Sequence, residues 1–192
     1  SEELYDFVAR ASNPNDRWIA IVSYKFSFSG GETDLAQTVL LPGAQRPLVH
    51  FGFDVGGYPA NPTLVIEDVK WKSVSAHAIK DVSGFIADRS DFLVENFEFT
   101  RASRSQGVLN HMIEFDILNN TAYNYWEPTF YIELIKGSRT AGIIYFVSSE
   151  FKSQEERHVD LRSYIKNLEV SNIKVWPVVN VFDNSQYMSV GL

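Results

Sequence analysis

Large hydrophobic residues alternate with polar ones along much of the chain, and part of this pattern occurs twice. Residues 18–28 carry an apolar side chain at almost every second position, which predicts a half-buried antiparallel strand. Residues 113–136 repeat the pattern of residues 5–28 at a constant offset of 108 positions, the distance from Phe7 to Phe115. Each copy consists of an alternating run, an Asn-rich turn, a Trp and a second alternating run, which predicts one sheet-forming unit written twice. Further equivalent pairs are Ala9 and Ile117, Trp18 and Trp126, Val22 and Phe130, Tyr24 and Ile132, and Phe26 and Leu134.

The remaining segments alternate over strand lengths and are separated by Gly, Pro and Asn, which favour turns. The pattern predicts strands over residues 5–11, 18–28, 35–41, 48–55 and 63–74, and then over 92–100, 109–119, 129–136, 142–148, 158–161 and 170–182. Within the fifth strand, alternation places Val65, Glu67, Val69 and Trp71 on one face. Residues 161–168 also fit a helical turn, because Leu161, Ile165 and Leu168 would share one side of it.

A polar, acidic segment over residues 79–91 separates the two halves. We therefore predict an all-β chain of two tandem antiparallel β-sandwich domains of the immunoglobulin or fibronectin III type, over residues 1–78 and 92–192. The intervening segment is predicted to be a linker or a short helix. The helix is an alternative because Ile79, Val82, Phe85 and Ile86 have near-helical spacing.

One predicted strand has no partner in the repeat. Residues 92–100 precede the second copy, and the first half has no room for an equivalent strand before Tyr5. An uncovered sheet edge over residues 5–11 would expose unpaired backbone groups, which natural sheets usually cover. We therefore expect a strand upstream of Ser1 to complete the first domain.

The repeated tryptophans are predicted to lie in the two cores. Because Trp18 and Trp126 occupy equivalent positions near the start of a long strand, each is expected to fill its own core. Replacing a buried Trp with Ala typically costs about 3 to 5 kcal/mol of unfolding free energy.

Three other aromatic residues are candidates for a binding surface. Tyr123 and Tyr125 align with the polar residues Asn15 and Arg17, which favours exposed positions. Trp176 alternates out of phase with the neighbouring valines and is expected to be exposed, unless a bulge at Pro177 resets the register. Exposed rings on a sandwich can stack on sugars or anchor a protein partner.

Composition and charge restrict the function further. The 192 residues carry 17 Lys and Arg against 24 Asp and Glu, and this net charge of -7 argues against a nucleic-acid partner, which needs a basic face. Cysteine is absent, so disulfides and thiolate metal sites are excluded. No apolar run approaches the ~18 residues needed to cross a bilayer.

The sequence offers little catalytic or metal-binding chemistry. The histidines, at positions 50, 77, 111 and 158, lack the spacing of zinc ligands, and His50 is expected to be a strand-surface or partly buried, satisfied residue. The acidic residues at the domain junction are Asp88, Asp91, Glu95 and Glu98; oxygen ligands of this kind could hold Ca²⁺, but their spacing fits no EF-hand and favours a solvated surface. Residues 119–121 match the N-glycosylation pattern but are better explained as the Asn-rich turn. We predict no catalytic residue, cofactor or metal.

Several segments carry a resemblance to known proteins. They resemble the extracytoplasmic region of uncharacterised membrane-anchored proteins of candidate-phyla bacteria, and in the first half they are Leu4–Ala11 with Asn13-Pro14-Asn15, Tyr24–Phe28, Leu41-Pro42-Gly43 and Arg46-Pro47. The C-terminal run Ile173–Pro177 with Asn180–Asp183 resembles the end of the same proteins. Both halves are also similar, more loosely, to FxLYD and fibronectin III-like sandwiches. The resemblance departs at residues 136–139, where an acidic hairpin is replaced by Lys136-Gly-Ser-Arg139.

The resemblance implies a non-catalytic structural or protein-interaction module of a bacterial cell envelope, anchored to the membrane by an upstream segment. Ser1 is neither an initiator Met nor the start of a signal peptide, which agrees with that expectation. Its expected partners are envelope proteins or surface glycans. The alternatives are a carbohydrate- or peptide-binding module that uses Tyr123, Tyr125 or Trp176, and, as the least favoured class, an enzyme.

Overall fold

A computed structural model of the chain describes residues 4–103, 105 and 107–189. The regular secondary structure of the described residues is almost all β-strand, in several antiparallel sheets with one α-helix, which confirms the predicted all-β class. The elements, in chain order, are β1 (Leu4–Ser12), β2 (Trp18–Phe28), β3 (Gly31–Glu32), β4 (Ala36–Leu40), β5 (Gln45–Asp54), β6 (Thr63–Ser73), α1 (Val82–Ser90), β7 (Phe92–Thr100), β8 (His111–Asn119), β9 (Thr129–Lys136), β10 (Arg139–Val147), β11 (Glu156–Ser163) and β12 (Asn172–Pro177).

The chain divides into two compact units, Ser1–Phe85 and Ile86–Leu192. The division falls inside α1, in the segment for which the sequence predicts a linker or a short helix. The predicted strand over 92–100 corresponds to β7, and that over 129–136 corresponds to β9. The alternative helical turn over 161–168 is wrong, because its first three residues belong to β11 and the others form no helix.

In the first unit, β2 pairs with β3, β4 and β6, whereas β1 pairs with β5. Alternation along β2 buries Ala20, Val22, Tyr24 and Phe26, as the pattern predicts. These residues share one hydrophobic core with Phe7 of β1 and Leu48 of β5. The two sheets of this unit therefore contribute to the same core.

In the second unit, β9 pairs with β10 and β12, and β8 pairs with β11 and β7. Its core is separate from that of the first unit and contains fully buried residues from both sheets. The fully buried members are Ile113, Phe115, Ile117, Phe130, Ile132, Leu134 and Phe151.

The pairing pattern repeats between the units, as the sequence repeat does. The pair β1–β5 corresponds to β8–β11, and β2 with β4 and β6 corresponds to β9 with β10 and β12. Strand β7 has no counterpart among the described residues of the first unit.

Each Asn-rich turn is organised by one buried asparagine. The Asn13 Nδ2 donor lies within 3.2 Å of the carbonyl oxygens of Trp18, Leu40 and Leu41. The Asn119 Nδ2 donor lies within 3.3 Å of the carbonyl oxygens of Tyr123, Phe151 and Lys152, and its Oδ1 accepts hydrogen bonds from Thr121. Asn119 has no exposed surface, which favours the turn over a glycosylation site.

The tryptophans at these turns are not core residues. Trp18 is 45% exposed and Trp126 is 47% exposed, so the prediction that they fill the two cores is wrong. Trp18 is the first residue of its ladder with β6, and Trp126 precedes β9, so each ring lies where its ladder begins. The cores are filled further along the strands.

The face assignment predicted for β6 holds for Val69 and Trp71 but is wrong for Val65, which pairs with Lys25. The ladder between β2 and β6 shifts register where Ser23 pairs with Asp68 but the next residue, Tyr24, pairs with Ile66. Glu67 is therefore the extra residue of a bulge. As a result, four apolar residues of β6 lie opposite buried core residues of β2; they are Leu64, Ile66, Val69 and Trp71.

Candidate functional site

Tyr125, predicted to be exposed, is fully buried. Its backbone forms isolated β-bridges with Phe151 and Tyr187, and its phenol donates a hydrogen bond to the carbonyl oxygen of Arg89. Burial, reinforced by Tyr187, raises the pKa of the Tyr125 phenol well above its ordinary value. The side chain is therefore a neutral structural group, and its assignment to a binding surface is wrong.

Tyr123 is half-buried and lies beside this bridge. Its ring centroid is 5.4 Å from that of Tyr187, and the guanidinium carbon of Arg89 lies 4.3 Å from the Tyr123 centroid. Burial also raises the pKa of the Tyr187 phenol, which donates to the carbonyl oxygen of Val181 at 2.7 Å. These contacts form a packed aromatic cluster in which Arg89 and Tyr187 hold Tyr123 in place.

The cleft next to Tyr123 is open, about 640 Å³ in volume, and lined by more polar than apolar residues. Its lining includes Asp91 and Asn120, and the Asn120 amide donates to the Asp91 carboxylate. The buried Thr121 hydroxyl bonds to Asn119 rather than facing a ligand. Of the three residues predicted for a binding surface, Tyr123 is the one that lines this cleft. The neighbouring Asp91 and Asn120 already hydrogen-bond to each other.

Trp176, predicted to be exposed, is 8% exposed. The β9–β12 ladder runs from Asn172 to Pro177 without a shift, so the suggested bulge at Pro177 does not occur. The indole Nε1 donates to the Glu133 carboxylate at 2.8 Å, and the Lys174 ammonium lies 3.8 Å from the centre of the Trp176 ring.

Glu133 explains why the prediction for Trp176 fails. Its carboxylate is almost fully buried and also accepts a hydrogen bond from the Thr140 hydroxyl. Burying a carboxylate is unfavourable unless it is hydrogen-bonded. Trp176 thus provides a hydrogen bond to a buried carboxyl group on the face of β9 opposite the core. Alternation alone does not reveal this contact, because the two residues are 43 positions apart.

The histidines and acidic residues do not converge either. Within residues 4–103, 105 and 107–189, no three His, Asp or Glu side chains are placed to hold a metal ion. The imidazole of the exposed His158 hydrogen-bonds to Asp116, whereas His111 stacks on Phe99 and accepts from the backbone N–H of Ala102. His50 is partly buried beside Phe53, and its Nδ1 has no hydrogen-bond partner within the described part of the chain.

The surface that sequence reasoning missed lies on the first unit. Leu64 and Val69 are half-buried against its core, whereas Ile66 is 44% exposed and Trp71 is 50% exposed. These four residues, called here the β6 apolar face, belong to the face of β6 that is turned toward the core. The signal available in the sequence was the strand over residues 92–100, for which the repeat offers no equivalent before Tyr5.

Comparisons of the chain with protein-family models, curated proteins and solved structures found no match. Among the residues that the structure describes, no helix has the length and hydrophobicity of a membrane span.

Proposed function

We propose that each unit is a β-sandwich of the immunoglobulin or fibronectin III-like type. Two observations support this architecture: both sheets of each unit contribute to one core, and the same strand pairing recurs in both units. In such a sandwich, the inner faces of two antiparallel sheets pack together while the outer faces meet solvent.

We propose that the chain is a non-catalytic structural or protein-interaction module of a bacterial cell envelope, acting outside the cytoplasm. The β6 apolar face is the observation that carries the interaction role. Apolar side chains turned toward a core are normally covered, and large apolar side chains left half-exposed in such a position mark a surface for another protein. The resemblance of residues 4–11 and 173–177 to envelope proteins supports the compartment.

The contacts of the aromatic candidates support a structural role for them over a ligand-binding one. The Tyr125 hydroxyl donates a hydrogen bond to the Arg89 carbonyl oxygen, and the Trp176 indole donates one to the Glu133 carboxylate. Their burial leaves the carbohydrate- or peptide-binding alternative with Tyr123 alone, and that ring already contacts Arg89 and Tyr187.

Site-specific photo-crosslinking in the native cell tests the proposed function. A benzophenone amino acid replaces Ile66, which is 44% exposed on the β6 apolar face, and Tyr164, which is 80% exposed in the second unit, serves as the matched control. We expect a discrete protein adduct in the envelope fraction from position 66 and none from position 164. Recovery of the protein in the cytoplasm, or equal labelling at both positions, would contradict the proposal.

A further inference from the structure

Strand β8 and strand β1 occupy equivalent positions in the two units but differ in their pairing. β8 lies between β7 and β11, and is therefore paired along both edges. β1 pairs with β5 along one edge, and no described strand pairs with the other edge. An edge of this kind presents alternate N–H and C=O groups that can accept another strand.

Strand β7 shows what covers the equivalent edge in the second unit. Four of its residues pack against the core of that unit, namely Phe92, Val94, Phe97 and Phe99. Its ladder with β8 shifts register between Glu95 and Glu98, and Asn96 has a positive φ of 53° within this bulge. The bulge keeps the two later phenylalanines on the inner face.

The described residues of the first unit include no such strand, and they expose the surface that it would cover. In the second unit, β7 contacts β12, the counterpart of β6. In β12, Ile173 is buried and Val175 packs against the core. Ile66 is the β6 counterpart of Val175, because the two pair with the equivalent residues Tyr24 and Ile132, and Ile66 is 44% exposed. The unpaired edge of β1 and the β6 apolar face thus correspond to the strand edge and the sheet face that β7 contacts in the second unit.

We propose that this edge binds an extended strand of a partner polypeptide, antiparallel to β1, with large apolar side chains at the inner positions. This proposal rests on the protein-interaction role proposed above and names its site and the chemistry of its partner. Backbone hydrogen bonds to β1 supply affinity, and side chains set against the β6 apolar face supply specificity, as in other cases of strand addition.

Charge on the solvent face of β1 defines the partner further. The exposed residues at alternate positions of this face are Asp6, Val8 and Arg10. Transferring the β7–β8 register by the 108-residue offset places position 98 of a β7-like strand opposite Asp6 and position 93 opposite Arg10. Opposite charges at facing positions stabilise an antiparallel pair. The partner strand therefore carries a basic residue facing Asp6 and an acidic residue facing Arg10.

A labelled peptide provides the test. The probe has the sequence of residues 92–100 with L93E and E98K, which match Arg10 and Asp6, and it is titrated into the 192-residue chain. We expect saturable binding, observed by fluorescence anisotropy, that is weaker for the unmodified β7 sequence. A peptide that also carries F97D and F99D should bind at least about tenfold more weakly, because it loses two buried rings.

A protein variant locates the binding site. Ile66→Asp places a charge on the β6 apolar face at a half-exposed position and should weaken peptide binding, whereas Tyr164→Asp in the second unit should not. The proposal would be overturned if the peptide with F97D and F99D bound as tightly as the peptide without them, or if Ile66→Asp left peptide binding unchanged. A longer form of the polypeptide whose residues before Ser1 already occupy the edge would also overturn it, by assigning the strand to the same chain. A protein adduct at position 66 without peptide binding would leave the interaction role standing and reject the strand partner.

Discussion

At the residue scale, the buried Asn13 and Asn119 are expected to stabilise the fold more than the half-exposed Trp18 and Trp126 that follow them. Each asparagine is buried and places one side-chain amide donor close to three carbonyl oxygens. A single hydrogen bond contributes about 0.5 to 1.5 kcal/mol net, and each asparagine makes several. The repeated Asn in the sequence indicates a turn, but it does not indicate that the side chain bonds to a distant segment of the chain, as Asn13 does to Leu40 and Asn119 to Phe151.

We predict that Asn119→Ala lowers the unfolding free energy by about 1 to 3 kcal/mol, because it removes the donor shared by Tyr123, Phe151 and Lys152. Urea denaturation measures the change. The neighbouring Asn120 is exposed, so Asn120→Ala is the matched control and should stay within about 0.5 kcal/mol. Equal losses for both variants would contradict the structural role of Asn119.

We predict that Trp176→Ala costs about 3 to 5 kcal/mol, because it removes a buried ring and the indole donor to the buried Glu133. Trp126→Ala should cost less, about 1 to 2 kcal/mol, since that ring is 47% exposed. Thermal unfolding of the two variants under the same conditions decides the order. The reverse order would restore the core position that the repeat suggested for Trp126.

At the element scale, strand periodicity is predictable and register is not. Alternation places most strands correctly, because a half-buried strand must present an apolar side chain every second residue. It fails in β6, where the bulge at Glu67 changes the face, and in β12, where an outer-face Trp is buried by Glu133. Both depend on contacts between strands that lie far apart in the chain.

The exposed ladder among β7, β8 and β11 carries a pH-dependent contact. Hydrogen bonding to Asp116, together with the charges of Glu114 and Asp160, raises the pKa of His158 above 6.5. Hydrogen bonds from Asn96 and His158 lower the pKa of Asp116 below 3.8. The stabilisation due to the raised His158 pKa is fully present below pH 6.5 and is lost as the pH rises through the folded-state value. The stabilisation due to the lowered pKa of Asp116 is present above pH 3.8 and is lost as the pH falls through the folded-state pKa of Asp116.

We predict that NMR titration gives His158 a pKa above 6.5, and that Asp116→Asn moves it part of the way back, because Glu114 and Asp160 remain. Added salt should reduce the shift, since His158 is 62% exposed on its side chain. A pKa at or below 6.5, or one unaffected by Asp116→Asn, would show that the contact does not form in solution.

At the scale of the whole molecule, the chain consists of two units with separate cores built on one repeated pairing scheme. The sequence predicts the repeat and the unmatched strand, because both follow from spacing alone. It does not predict the β6 apolar face, which depends on which sheet lacks a strand and on the bulge that turns Ile66 toward the core.

We predict that destabilising substitutions act on their own unit. Asn13→Ala should lower the unfolding midpoint reported by residues of β2, whereas Asn119→Ala should lower that reported by β9, because each Asn bonds within one unit. Residue-resolved unfolding in urea, followed by NMR, separates the two midpoints. Identical shifts throughout the chain for either variant would indicate one cooperative unit instead.

Residue-resolved amide hydrogen exchange on the 192-residue chain tests the open edge of the first unit most directly. A strand paired along both edges bonds every N–H, whereas a strand paired along one edge bonds alternate ones. We therefore predict slow exchange at successive amides of β8 and slow exchange only at alternate amides of β1. Slow exchange at successive amides along β1 would show that the edge is already covered, and would contradict an interaction site there.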